Sequence, residues 1–143
     1  MAQYQATRAF DLGALILRLG FGLGFFWFHG WPKLIGGRER WEGLGGAMGS
    51  LGIDFGAWWW GLGAALAESG GALLIAFGLF FRPISAILAF VMVVATANHL
   101  VTGQGTIAHA FKNVWVFLGL AVMGPGRYSV DHWLAERRSG RQM

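Results

Sequence analysis

The sequence predicts an all-α integral membrane protein, a four-helix bundle, and three observations carry that prediction. Of 143 residues, 55% are hydrophobic, and the mean hydropathy is +0.51. Only 13% are Asp, Glu, Lys or Arg, against about 25% in an average soluble domain, which leaves too little polar surface to face water. The few charges also sit between long apolar runs. That composition excludes a disordered chain, which would be poor in apolar residues. The absence of cysteine excludes disulfides, thiolate metal sites and thiol exchange. Eleven Lys+Arg against seven Asp+Glu give a net charge of +4. Placed between apolar runs, this basicity reads as membrane topology and not as nucleic-acid binding.

A helix needs about 20 mostly apolar residues to cross the hydrocarbon core. The first such run covers residues 12–31 and is interrupted by Arg18 and His29. It is too long for a signal peptide, and Pro32 and Lys33 follow it where a small-residue cleavage site would stand. The second run covers 55–81, with Glu68 as its charge, and the third covers 83–101. Pro83 is harmless at a helix start, where its missing N–H would be unpaired anyway. The fourth, 106–123, opens on His109, Lys112 and Asn113 and is stopped by Gly124-Pro125-Gly126. Beyond it Ser129 can cap a short interfacial helix over 129–138, presenting Val130, Trp133 and Leu134, with Arg137, Arg138 and Arg141 set to meet anionic lipid. Between the first two spans, Trp41, Leu44, Met48 and Leu51 recur at spacings of three and four, the pattern of a short amphipathic helix on the membrane surface. With no linker and no second domain in view, residues 1–143 read as one transmembrane domain.

Four spans put both termini on one side. That side carries Arg8, Arg82, Arg127, Arg137, Arg138 and Arg141, and the other carries Lys33, Arg38, Arg40 and Lys112. The excess places the termini in the cytoplasm of a multi-pass cell (inner) membrane protein. Trp27, Trp31, Trp41, Trp58, Trp59, Trp60 and Trp115 gather in the outer half. They suit an aromatic belt at headgroup depth or a stacking platform for a planar ligand. Gly20 and Gly24 form a GxxxG pair, and Gly63, Ala67 and Gly71 a ridge of small residues. Such ridges serve close packing within the bundle, or contact with another membrane protein or a second copy.

Ionisable groups inside a span are expensive and face the bundle interior, paired or beside water. On the first span Arg18, Gly22, Phe25 and His29 share one face, with Arg18 roughly 9 Å and His29 roughly 26 Å from the cytoplasmic end. Glu68 falls near the middle, and Asn98 and His99 about 21–23 Å deep. Glu68 is within reach of Arg18 below or His99 above. One reading is an Arg18–Glu68 ion pair that fixes register, the histidines extending outward. The other is a polar pocket opening outward, in which Glu68 and the histidines bind or protonate a ligand. Lys33 at the mouth either attracts an electron-rich head group or anchors the interface. His29 and His99 lack close metal-ligand spacing, so neither metal nor haem is expected. Phosphate loops, nucleophile elbows and zinc motifs are absent.

Taken in order, the motifs resemble the DoxX family of small four-span membrane proteins. They are Leu17-Arg18-Leu19-Gly20, then Phe28-His29-Gly30-Trp31-Pro32-Lys33-Leu34, then Ala67-Glu68 with Gly70-Gly71. Gly78-Leu79-Phe80-Phe81-Arg82-Pro83, Asn98-His99 and Gly124-Pro125-Gly126-Arg127-Tyr128-Ser129-Val130-Asp131 complete a resemblance over residues 12–134. The family takes its name from archaeal quinone oxidase and thiosulfate–quinone oxidoreductase subunits, some members accompany redox-defence enzymes, and distant relatives assist membrane-protein assembly. The resemblance therefore implies a redox-associated membrane subunit that binds a quinone or quinone-like head group. The implied set is Arg18, His29, Lys33, Glu68 and His99, with Asn98 beside them. Any catalysis would be that of a quinone-linked oxidoreductase subunit, and without cysteine it cannot use the thiol pairs of related four-helix redox proteins. The competing expectation is a structural or assembly subunit of a larger membrane complex, with no substrate of its own.

Overall fold

The structure, a computed structural model, describes the backbone of residues 2–139 and the side chains of residues 7–139, so Arg141 lies outside the described residues. The regular elements are all helices: α1 (Ala2–Phe25), α2 (Trp31–Leu34), α3 (Gly37–Gly45), α4 (Ala57–Leu66), α5 (Ala72–Phe77), α6 (Phe81–Thr102), α7 (Ile107–Met123) and α8 (Val130–Ser139). A π-helical turn, Phe26–Gly30, joins α1 to α2, and a second, Ala67–Gly71, joins α4 to α5. Thr7–Leu34, Ala57–Phe77 and Phe81–Thr102 are long and apolar enough to cross a membrane, and Ile107–Met123 is a shorter apolar helix of about 25 Å. The chain is a multi-pass membrane protein.

The boundaries differ from the sequence expectation where local chemistry intervenes. The first span does not stop at residue 31, because Pro32 falls at the start of α2, just after the wide π turn. Proline inside a helix removes one amide hydrogen bond and crowds the preceding turn, and a π turn is a common way for a helix to absorb such a misfit. The second span ends at Phe77. Gly78 adopts φ +68°, and the amides of Gly78 and Leu79 close on the carbonyls of Ile75 and Leu74 at 3.1 and 3.0 Å, a left-handed cap that suits glycine. Phe80 is also left-handed, at φ +48°. Its amide and that of Phe81 donate to the two carboxylate oxygens of Asp131, each at 2.9 Å, so α8 caps the start of α6. Ser129 Oγ in turn accepts the His132 amide at 3.2 Å, the cap expected for the terminal helix.

The connection between the first two spans departs further. In place of one amphipathic helix on the membrane surface, α3 is followed by a 3-10 helix, Gly46–Leu51, and both pack against the bundle. A Cβ at Gly45 would strike the Ala57 carbonyl, and one at Gly61 would strike the Trp41 carbonyl. Two glycines facing each other thus bring α3 onto α4, and Met48 is buried as a result.

Close approach within the bundle runs through Gly22, where a Cβ would stand 2.8 Å from the backbone of Ala72 and Ala76, and through Gly30, which rests on the backbone of Glu68 and Ser69. Of the expected ridges, Gly71 faces Ile84 at 3.2 Å, while Gly20, Gly24 and Gly63 meet open space. The core is Phe25, Ile75, Phe81, Leu88, Met92, Phe117 and Leu120, all buried.

Candidate functional site

The two π turns lie against each other, and each carries a polar residue of the site: His29 on the first and Glu68 on the second. π turns inside helices are frequent at functional sites because the extra residue re-aims side chains. One turn beyond His29, on α2, Lys33 Nζ donates to both carboxylate oxygens of Glu68, at 2.6 and 2.5 Å. The Glu68 side chain is 2% exposed and that of Lys33 20%. Trp41 Nε1 donates to the Lys33 carbonyl at 2.9 Å and ties α3 to the same corner. His29 stacks between Phe25 and His109, with ring centroids 4.8 and 4.7 Å apart. Asn113 Nδ2 donates to His109 Nε2 at 3.1 Å.

These residues border a cavity of about 920 Å³, at the upper end of the range for small-molecule sites. His29, Lys33, Glu68, Asn98, His99 and His109 supply its polar end. Ala64, Ala67, Ile87, Phe90, Val91 and Val94 line the apolar remainder, and Arg40, Leu44 and Met48 of the α3 connection form another wall. The Nδ1 of His99 is buried and makes no hydrogen bond among the described residues. A charged pair and further hydrogen-bonding groups at one end of an apolar chamber can orient the head of a lipid-soluble molecule.

Five of the six sequence-predicted residues thus share one cavity. Arg18 does not. It is 1% exposed and lies toward the opposite end of the bundle, where Nη2 donates to the Tyr128 carbonyl and the guanidinium packs beside Gly78. The eleven residues from Arg18 to His29 span about 16 Å of helix. Neither expected partner of Glu68 is the one observed, since Lys33 takes both its oxygens and neither Arg18 nor His99 bonds to it among the described residues. Glu68 does stand midway along its span, the twelfth of the 21 residues of Ala57–Phe77, and the Gly30 contact brings the Lys33 part of the first span to that level, away from Arg18.

Sequence reasoning missed His109, Arg40 and the α3 wall. The four-residue spacing of His109 and Asn113 was the available signal, since it puts both on one face of α7 while the intervening Lys112 is exposed. Of the tryptophans, Trp60 reaches the cavity, whereas Trp27, Trp59 and Trp115 are exposed in the manner of a belt. Among the described residues no group of three His, Cys, Asp or Glu is placed to hold a metal.

The DoxX family model matches residues 13–104, which takes in the first three spans and every residue of the polar end except His109. Nothing matches among curated proteins or among solved structures.

Proposed function

The chain belongs to the DoxX family, and from that membership we propose that it is a redox-associated membrane subunit whose cavity binds a quinone-like head group. One observation carries the proposal: the Lys33–Glu68 pair stands buried at the polar end of a chamber of about 920 Å³ whose other walls are largely apolar. An ammonium group has three donors, and Glu68 engages two of its own oxygens with Lys33, leaving a donor for a carbonyl oxygen in the cavity. Asn98 and His99 border the same space and supply a second contact that orients the ring. The redox class comes from the family resemblance, not from the cavity.

The polar end faces outward in this proposal, with both termini in the cytoplasm of the cell membrane. Lys33, Arg38, Arg40 and Lys112 lie at that end, against Arg8, Arg82, Arg127, Arg137 and Arg138 at the other, which follows the cytoplasmic excess of basic residues. Mass spectrometry of lipids that co-purify in mild detergent tests the reading. Quinone enriched over bulk lipid in the wild type and depleted in Lys33→Met is the expected result; no enrichment in the wild type contradicts it.

A second reading, a structural or assembly subunit without a substrate, is favoured by Gly20 and Gly24, which have open space where helix packing would use them. Loss of a co-purifying membrane protein in Gly20→Leu/Gly24→Leu, with no quinone bound by the wild type, would select it.

A further inference from the structure

The ring of His109 is held on a face and on an edge. Its face stacks on His29, with centroids 4.7 Å apart, and His29 stacks in turn on the buried Phe25. Its Nε2 edge meets Asn113 Nδ2, one turn further along α7, at 3.1 Å. An amide nitrogen only donates, so Nε2 is the acceptor, and the neutral imidazole then carries its proton on Nδ1. Nδ1 itself makes no hydrogen bond among the described residues. Since His109 borders the cavity, that N–H is left for a molecule that enters. Asn113 is 3% exposed and does not border the cavity, so it acts on a ligand only through His109.

We infer that Asn113 is a positioning residue: it fixes His109 as a hydrogen-bond donor, and the cavity thereby takes the oxidised, carbonyl form of a quinone-like head group in preference to the reduced, hydroxyl form. This selectivity rests on the head-group reading above and names the redox form of the ligand. Lys33 keeps one N–H for the cavity, while both oxygens of Glu68 already accept from Lys33. His29, His99 and Asn98 present a donor or an acceptor as required, so the difference between the two forms falls on the fixed groups. A carbonyl oxygen only accepts, and it matches both fixed donors. A phenol oxygen also accepts an N–H, but its own O–H then needs an acceptor, and burying it without one is costly. Without Asn113, His109 is free to move its proton to Nε2 and offer Nδ1 to that hydroxyl.

The test has two readouts on the full chain in detergent. Nitrogen NMR of isotope-labelled histidine, with His109 assigned by its loss in His109→Phe, should show the wild-type proton on Nδ1 and a shift toward Nε2 in Asn113→Leu. Decylubiquinone and its quinol, held without oxygen, are then titrated calorimetrically. The wild type should bind the quinone about tenfold or more tightly than the quinol. Asn113→Leu should narrow that ratio by binding the quinol better, and His109→Phe, which keeps a ring on His29, should lose quinone affinity. A wild-type proton on Nε2, equal affinity for the two forms, or an unchanged ratio in Asn113→Leu overturns the inference and leaves the head-group site in place. Binding of neither form by the wild type removes the head-group reading and the selectivity with it.

Discussion

Lys33 Nζ lies 2.6 and 2.5 Å from the two carboxylate oxygens of Glu68, and Gly30, three residues before Lys33, rests on the backbone of Glu68 itself. The contact therefore holds at two levels: backbone on backbone sets the depth, and the side chains then meet. Removing one partner of a buried ion pair strands the other and costs about 3–5 kcal/mol. The two halves are unequal here. Lys33→Met strands Glu68, 2% exposed, whereas Glu68→Leu strands Lys33, 20% exposed, whose long stem can carry its charge toward water. Unfolding in detergent should show the larger loss for Lys33→Met, a smaller one for Glu68→Leu, and substantial recovery in the double variant. Losses that simply add would mean that the two side chains act separately.

Gly30 should tolerate no side chain. A Cβ there collides with backbone, which cannot rotate aside, and overpacking of this kind costs about 1–3 kcal/mol. Gly30→Ala should therefore be destabilised in the same assay, while Gly20→Ala, which meets open space, should be neutral or gain up to about 1 kcal/mol of helix propensity. Equal behaviour of the two variants would contradict the close approach of the π turns.

Arg18 and Asp131 are expected to affect stability and not the cavity. Asp131→Ala removes the acceptor for the Phe80 and Phe81 amides, a loss of about 0.5–2 kcal/mol by analogy with helix caps. Hydrogen exchange should rise first at those two amides. Arg18→Met should lower stability as well, and both variants should bind quinone as the wild type does. Weakened binding in Arg18→Met at unchanged stability would return Arg18 to the site.

Three spans and the shorter apolar helix that follows them were legible because length and apolar composition alone decide whether a helix can cross a bilayer, and Pro83 and the Gly124-Pro125-Gly126 stop mark edges in the sequence. The polar set at the Lys33 end was legible too, since ionisable residues are rare in spans. The pairing within it was not. A helical wheel gives the face of Glu68 but not which level of the first span meets it, and the Gly30 contact sets that level. The α3 connection was expected on the membrane surface because nothing in the sequence pairs Gly45 with Gly61, and their meaning appears only when they face each other.

Sidedness is open to direct labelling, because the chain contains no cysteine. Gly46 and Ser139 are both exposed and lie at opposite ends of the bundle. In intact cells an impermeant thiol reagent should modify Gly46→Cys and spare Ser139→Cys. The reverse pattern would place the polar end of the cavity in the cytoplasm.

Binding of a head group beside Lys33, Glu68 and His99 is tested most directly by titrating quinone into the purified protein and following tryptophan fluorescence, since Trp60 lines the cavity. The wild type should show saturable quenching. His99→Ala and Lys33→Met should need a higher quinone concentration for half-saturation, by about tenfold if each contributes one hydrogen bond of roughly 1.5 kcal/mol, and Arg18→Met should not shift the curve. Quenching that never saturates in the wild type, or that is unchanged in both cavity variants, would contradict a head-group site at this end of the bundle.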